Sequence, residues 1–335
     1  MIVIDADFLG RGRTGDETYV ENLLRALVPL SDVRLGAVTR DAALVPAGVE
    51  PFVLRTRSQE LRMAWSLPRL LARVQPRLAH FVHSLPLRVP CPAVVTVQDL
   101  GFERDPTLMS RKDRLVFRAV VPRAVRRAAR VLAISERTKR DVVELYGVPE
   151  EKVVVTPLGV DPAFRPGDDG AGGLAAFALF VGAVQERKDP LAALEAARAA
   201  GLPLVVVGPE KDAGLTAELR RRGADVRGYV AKEELARLYR EAAVLVLPSR
   251  YEGFGLPVVE AMASGTPVVA APEAALREVA GDAAIFAERG ELGDAVCRAL
   301  DQRERLVAAG LERARRFTWE ETARRTLDVY RELLA

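Results

Sequence analysis

A chain of 335 residues with 49% hydrophobic and 28% charged side chains is too apolar to be disordered and too long for one ordinary core. Two packed domains are expected, at a prior of roughly 150 residues each. No apolar run approaches the roughly 18 residues that span a bilayer, and the chain opens on the strand-like Met1-Ile2-Val3-Ile4-Asp5 with no basic leader before it, which predicts a soluble, cytoplasmic protein. The net charge of +3 is unevenly held: residues 1–165 carry 26 Lys and Arg against 19 Asp and Glu, and residues 166–335 carry 23 against 27. No nucleic-acid partner is expected. Cys91 and Cys297 are far apart and lack a second Cys at metal-site spacing, so both read as core thiols. His80 and His83 are the only histidines; no carboxylate spacing supports a metal there, and core or cleft lining is the favoured reading. Asn22 is the sole asparagine and Arg far exceeds Lys, as in a heat-adapted or compositionally biased source.

In chain order, short apolar runs alternate with amphipathic helices. The first half gives strands at "MIVIDA", "VRLGAVT", "LAHFVH", "AVVTVQD", "RVLAIS" and "VVVTPL", and the second at "FALFVGAV", "LPLVVVGP", "DVRGYV", "AVLVLPS", "TPVVAA" and "AAIFA". Helices such as "DETYVENLLRAL", "ERTKRDVVELYG" and "KEELARLYREA" fall between them. Runs apolar on both faces and separated by helices imply parallel sheets covered on both sides. The fold class is therefore α/β, with two tandem Rossmann-like, doubly wound domains facing a cleft. Pro162, Pro166, Gly167 and the glycines at 170–173 place a linker at about 163–174, between domains at 1–165 and 166–317.

The opening loop carries Gly10, Gly12 and Gly15 as G-x-G-x-x-G. A dinucleotide site wants its first glycine directly after the strand and an acid where the second strand ends; here five residues intervene and Arg40 stands at that end. What remains is a turn with Thr14 or Asp16 as helix N-cap. Its amides with Arg11 and Arg13 suit an anion, and a strand-to-helix turn that needs glycine for its backbone explains the same residues equally well.

More informative is "LVLPSRYEGFGLPVVEAMASGTPVVAA" at 245–271. A buried strand runs into a loop with Gly253 and Gly255, and Pro257 sits where a first helical residue would, so the amides of Phe254, Gly255 and Leu256 offer an anion site. Glu252 precedes the turn and Glu260 falls about one helical turn beyond it. Carboxylates accept paired hydroxyls well. An anion site between two such carboxylates describes a nucleotide sugar.

The stretch from Glu252 to Glu260 resembles the E-x7-E motif of glycosyltransferase family 4, retaining enzymes of the GT-B fold. The likeness extends to "LFVGAVQERKDP", "VRGYVAKEELARLYREA", "LAISERTKRDVVELYGVPEEKVVVTPLGVDPAF" and "RFTWEETARRTLDVYREL". The resemblance implies that helix 318–335 crosses back to the N-terminal, acceptor-side domain. It assigns the donor ribose to Glu260, the transferred sugar's hydroxyls to Glu252, sugar and phosphate to the Phe254, Gly255 and Leu256 amides, the diphosphate to Arg187 and Lys188, and the base to Tyr229 and Val230. Gly15 joins the donor-binding set. Asp99 matches the second residue of the family's His-Asp pair, but the first is Gln98, which hydrogen-bonds without titrating. The implied reaction moves a hexose from a GDP- or UDP-sugar, with a lean to GDP-mannose, onto an acceptor hydroxyl without a metal cofactor, the leaving diphosphate taking the acceptor proton. A nucleotide-sugar epimerase and a non-catalytic sugar-nucleotide-binding protein are the alternatives.

Residues 111–140 hold eleven Lys and Arg against two acids, interleaved with Leu115, Val116, Phe117, Val120 and Val121. They fit either a face resting on anionic lipid near a lipid-linked acceptor or a solvated helix pair interrupted at Pro122.

Overall fold

The computed structural model describes residues 1–12, 14–105, 111–167 and 177–335. It divides into two compact units, Met1–Gly159 with Trp319–Ala335, and Val160–Thr318. The first contains β1 (Ile2–Asp5), β2 (Leu35–Thr39), β3 (Val49–Val53), β4 (Leu78–Val82), β5 (Ala93–Val97), β6 (Arg130–Ala133) and β7 (Val153–Val155), in the order β3-β2-β1-β4-β5-β6-β7. The second contains β8 (Ala178–Val181), β9 (Leu204–Val207), β10 (Asp225–Gly228), β11 (Val244–Leu247), β12 (Val268–Ala270) and β13 (Ile285–Phe286), in the order β10-β9-β8-β11-β12-β13. All these pairings are parallel. The central strands β1, β4, β5, β8 and β11 are buried throughout, as expected when helices cover both faces of a sheet. Strand order reverses between β1 and β4 and between β8 and β11, the switch points beside which doubly wound sheets bind ligands.

Four features differ from the sequence expectation. The strand "VEPFV" was not anticipated, because Pro51 at its centre has no N–H for a ladder. It is tolerated because β3 is an edge that pairs only with β2. The helix Arg111–Arg127 continues through Pro122 and is not interrupted there, although Pro122 has no N–H to donate to the preceding turn. Cys297 lies exposed on the helix Leu292–Asp301 and Cys91 is half-buried, so neither is a fully buried core thiol. Finally, the units divide at Gly159 and Val160 instead of at 165 and 166. Val160 bridges Thr318, Asp161 binds Lys232 at 2.6 Å, and the Phe164 ring lies 5.6 Å from that of Tyr239, so this stretch packs with the second unit. The linker residues 168–174 lie outside the described residues.

The helix Trp319–Leu334 belongs to the first unit. Its buried residues Trp319, Thr322, Ala323, Thr326, Leu327, Val329 and Tyr330 recur largely at helical spacing. Tyr330 Oη lies 2.5 Å from His80 Nδ1 on β4, His80 Nε2 lies 2.7 Å from Thr96 Oγ1, and Tyr19 Oη lies 2.8 Å from the same hydroxyl. His80 is therefore a core histidine. Burial without a charged partner holds its pKa down to about 3.

Candidate functional site

In the second unit two loops meet beyond the carboxyl ends of β8 and β11. Just past β9, Gly208 has φ +141°, and a Cβ there would stand 2.2 Å from the Gly182 carbonyl oxygen; glycine is what lets the ends of β8 and β9 approach so closely. The first loop becomes a short turn at Glu186–Lys188. Asp189 then caps the helix Pro190–Ala199, accepting the Ala192 N–H at 3.3 Å with Pro190 in the first turn, the start its Asp-Pro pair predicts. The second loop leads into the helix Leu256–Ala263. Leu256 is its first residue and Pro257 its second, one position later than expected. Gly255 precedes them at φ +104°, and a Cβ would meet Leu276 Cδ2 at 2.6 Å, so both conformation and space exclude a side chain.

The loops are joined by the Arg250 N–H donating to the Arg187 carbonyl at 2.9 Å and by the Arg187 guanidinium donating to the Tyr251 carbonyl at 2.8 Å. Lys188 Nζ makes a close ion pair with Glu252 Oε1, and Arg187 lies 3.9 Å from Glu252 Oε2. Lys188 and Glu252 are both buried. Burial pushes the Glu252 carboxyl upward, but the Lys188 and Arg187 charges outweigh it and hold its pKa below the ordinary value. Arg187, Lys188 and Glu252 thus form one cluster. Phe254 is buried with its ring 5.6 Å from that of Phe317, so its side chain belongs to the core and only its backbone faces the turn.

Glu260 follows one helical turn on, half-buried, with the Tyr239 hydroxyl donating to its Oε2 at 2.8 Å. Burial pushes its pKa up to about 7, opposed by the Tyr239 hydrogen bond, with Asp161 adding to the rise and Lys232 to the opposition. Tyr239 lies ten residues beyond Tyr229 on the buried face of the helix Lys232–Glu241 and was not singled out in the sequence. Tyr229 itself, just past the edge strand β10, is 72% exposed, which rules out a core role; Val230 beside it is half-buried. A cavity of about 630 Å³, lined by Glu186, Asp189, Ser249, Arg250, Glu273 and Arg289 among others, lies beside this cluster but does not include Glu252 or Glu260.

In the first unit, Gln98 and Asp99 follow β5, and Gly15 is close by: a Cβ on it would lie 3.4 Å from Gln98 Oε1. Gln98 and Gly15 are thus neighbours within the first unit. Asp99 Oδ1 accepts the Gly101 N–H at 3.0 Å. The helix Thr14–Leu27 already includes Thr14 and Asp16, so neither is an N-cap outside it; Asp16 Oδ1 instead meets His83 Nε2 at 3.1 Å. At the opening glycines, Gly10 and Gly12 take φ +74° and +60°. Asp7 binds Arg11 at 2.5 Å and Arg40 at 2.8 Å, and fully buried Arg62 holds Asp5 through both carboxylate oxygens. Arg11 is thus engaged by an acid, which favours the backbone reading of the glycines; Arg13 lies outside the described residues. Arg62 carries no motif or periodicity that marks it in the sequence. Among the described residues no cluster of three or more His, Cys, Asp or Glu is arranged to hold a metal ion, and no helix is long and apolar enough to cross a membrane.

Residues 13–164 match the model of the family described as Glycosyltransferase Family 4, and residues 175–302 that of Glycosyl transferases group 1. Among curated proteins, the O-antigen chain mannosyltransferase B of Escherichia coli is 30% identical over 61% of this chain and 60% of its own. The D-inositol 3-phosphate glycosyltransferase 2 of Catenulispora acidiphila is 37% identical over 61% of this chain and 56% of its own. The matches therefore span less than two thirds of those relatives. Among solved structures, the sucrose-phosphate synthase of Thermosynechococcus elongatus superposes with a TM-score of 0.80 at 20% identity, covering 99% of this chain and 98% of that one. With both halves matched and two all-parallel doubly wound sheets in tandem, the chain belongs to the group 1 and family 4 glycosyltransferases of the GT-B fold.

Proposed function

We propose that the protein is a retaining hexosyltransferase that takes its sugar from a nucleoside diphosphate donor, with GDP-mannose ahead of UDP-glucose, and passes it to an acceptor hydroxyl in the cytoplasm. The observation that carries this reading is the buried Glu252 flanked by Lys188 and Arg187 at the start of the helix Leu256–Ala263. The carboxylate is suited to accept hexose hydroxyls, while the two cations and the helix amides neutralise a departing diphosphate without a metal ion. The bond from the anomeric carbon to the phosphate oxygen breaks, the acceptor oxygen bonds to that carbon on the same face, and the released phosphate oxygen takes the acceptor proton. Tyr229, exposed beyond β10, is available to stack on the base, and the lean to mannose rests on the likeness to a mannosyltransferase. The test is a panel of GDP- and UDP-hexoses, followed by nucleotide release and the anomeric proton coupling of the product. The expected result is preference for GDP-mannose, a retained configuration and activity that survives a chelator. An inverted product, or activity lost to chelation and restored by a divalent ion, overturns the mechanism. Donor turnover without an acceptor signals an epimerase, and binding without turnover a sensor.

Glu260 supports the donor ribose in this scheme. Ribose hydroxyls donate to its ionised form, so donor affinity is expected to rise as pH increases through about 7, where the folded carboxyl titrates. Glu260→Ala should weaken donor binding by about 1.5 to 3 kcal/mol and flatten that rise. Calorimetric titrations of the donor at pH values on either side of 7 check both; a pH-independent affinity in the unaltered protein contradicts the assignment.

We further propose that the helix Arg111–Arg127 brings the enzyme to anionic lipid and a lipid-linked acceptor. Leu115, Val116 and Val120 are exposed there, Leu115 at 73%, on a helix rich in arginine. Sedimentation with phosphatidylglycerol vesicles at physiological salt should retain the protein. Recovery of all of it in the supernatant favours a soluble acceptor.

A further inference from the structure

Tyr239 and Glu260 face each other from two helices. Tyr239 is fully buried on the helix Lys232–Glu241, and Glu260 lies half-buried on the helix Leu256–Ala263. The tyrosine is fixed at both ends: its backbone carbonyl accepts the Thr266 hydroxyl, and its ring stands edge-on to that of Phe164 at 5.6 Å. So held, it delivers its hydroxyl to Glu260 Oε2 at 2.8 Å. Among the described residues no other group donates to that carboxylate, and the phenol oxygen has no other partner. A buried hydroxyl is costly unless it is paired, and a phenyl ring would fill the same space without that demand. The oxygen of Tyr239 is therefore explained by the carboxylate it meets.

We propose that Tyr239 is a positioning residue for the donor: its hydroxyl holds one oxygen of Glu260, fixes the plane of the carboxylate and leaves Oε1 presented to the ribose hydroxyls. This inference rests on the reading of Glu260 as the ribose contact and deepens it, since Tyr239 itself touches no substrate. A carboxylate already oriented loses less freedom when the nucleoside arrives. The same bond sets the charge. The groups facing the Glu260 carboxyl are Tyr239 and Lys232 from the helix Lys232–Glu241 and Asp161 from the stretch after Gly159, and the helix Leu256–Ala263 carries no other ionisable side chain. Lys232 and Asp161 pair with each other at 2.6 Å, and their opposite influences on Glu260 offset in part. Burial, the largest influence, pushes the carboxyl up to about 7, and the Tyr239 hydrogen bond is the strongest influence against it. Burial together with the Glu260 charge keeps the phenol itself protonated well above neutral pH, so Tyr239 donates throughout the range in which Glu260 titrates. Without that donor the carboxyl holds its proton to higher pH, and at neutral pH the ribose meets an acid in place of a carboxylate.

Tyr239→Phe keeps the ring and removes the donor. Labelling glutamate at the carboxyl carbon lets nuclear magnetic resonance follow Glu260 with no ligand present, its signal being the one absent from Glu260→Gln. The midpoint, expected near 7 in the unaltered protein, should rise by about one pH unit in Tyr239→Phe. GDP and UDP are then titrated into both proteins over a range of pH, with their 2′,3′-dideoxy forms as controls. At pH 7 the variant should bind the ribonucleotides about fivefold more weakly, the fall in ionised Glu260 that such a shift produces, and should regain most of the loss above its new midpoint. The dideoxy forms should not distinguish the two proteins. A midpoint unmoved in Tyr239→Phe, or a loss of equal size at every pH, marks a merely structural tyrosine and overturns the proposal, while a preference of the unaltered protein for ribo over dideoxy nucleotides keeps Glu260 as the ribose contact. Equal binding of ribo and dideoxy nucleotides by the unaltered protein removes the ribose reading and the proposal with it, even where the midpoint moves. Replacing Tyr239 by 3-fluorotyrosine, a more acidic phenol and a stronger donor of nearly the same size, provides the check in the opposite direction: the Glu260 midpoint should fall, and a midpoint that stays or rises overturns the proposal.

Discussion

Glu252→Ala is expected to lower kcat for hexose transfer by about 100- to 1000-fold, the scale seen when one preorganised polar contact to a developing charge is removed. The donor KM should stay level or fall. The reason is the ion pair: Lys188 is buried against Glu252, and removing the carboxylate removes its competition with the diphosphate for the ammonium. Ground-state affinity is kept or gained while the transition state loses its hydroxyl acceptor, so kcat and KM separate. Lys188→Ala should lower kcat by a similar factor and also raise the donor KM. It leaves Glu252 buried beside Arg187 alone at 3.9 Å, and breaking a buried pair from one side costs about 3 to 5 kcal/mol. Its melting temperature should therefore drop, and the double variant should be more stable than the sum of the single losses implies. Steady-state kinetics of the two single variants and the double variant, with thermal melts of each, form the check. Full activity in Glu252→Ala means that the site has been put in the wrong place.

Stability should fall in acid along a slope set by His80. Its folded pKa is held down to about 3, against about 6.5 in an unfolded chain. Between those values the unfolded state binds a proton that the native state refuses, so the native contribution is complete above about pH 6.5 and is lost as pH falls toward 3. The slope is at most about 1.4 kcal/mol per pH unit, and the full loss about 4 to 5 kcal/mol. Because His80 links β4 to Tyr330 and Thr96, the helix Trp319–Leu334 should be the first element exposed. Urea unfolding of the protein and of His80→Gln across this range isolates the effect, since carboxylates common to both cancel. Parallel pH profiles would falsify the assignment, and proteolysis at low pH should cut ahead of Trp319.

What could be read along the chain was whatever repeats over short spacings. Short, mostly apolar runs marked twelve of the strands in the two sheets, because burial on both faces makes a central strand predominantly apolar, with His80 in β4 and Thr96 in β5 as buried polar exceptions. The Asp189-Pro190 start and the Gly255 turn were legible because helix initiation is a local matter of caps and backbone freedom. The eight-residue spacing from Glu252 to Glu260 likewise carried the candidate site. Folding in three dimensions decided the rest. Pro51 argues against a strand until it is known that β3 is an edge, and Pro122 argues for a break that the surrounding helix does not make. The pairing of Lys188 with Glu252 across 64 residues, of Tyr239 with Glu260 across 21, and of Arg62 with Asp5 across 57 leaves no trace in local spacing. The first two of these contacts help set the charge and protonation of the candidate site, because burial and a partner brought from elsewhere in the chain shift a titratable group while its immediate neighbours in sequence do not reveal it. His83 is the sharpest case: its residue type was visible from the start, but its left-handed backbone and its contact with Asp16 exist only once β4 and the helix Thr14–Leu27 have come together.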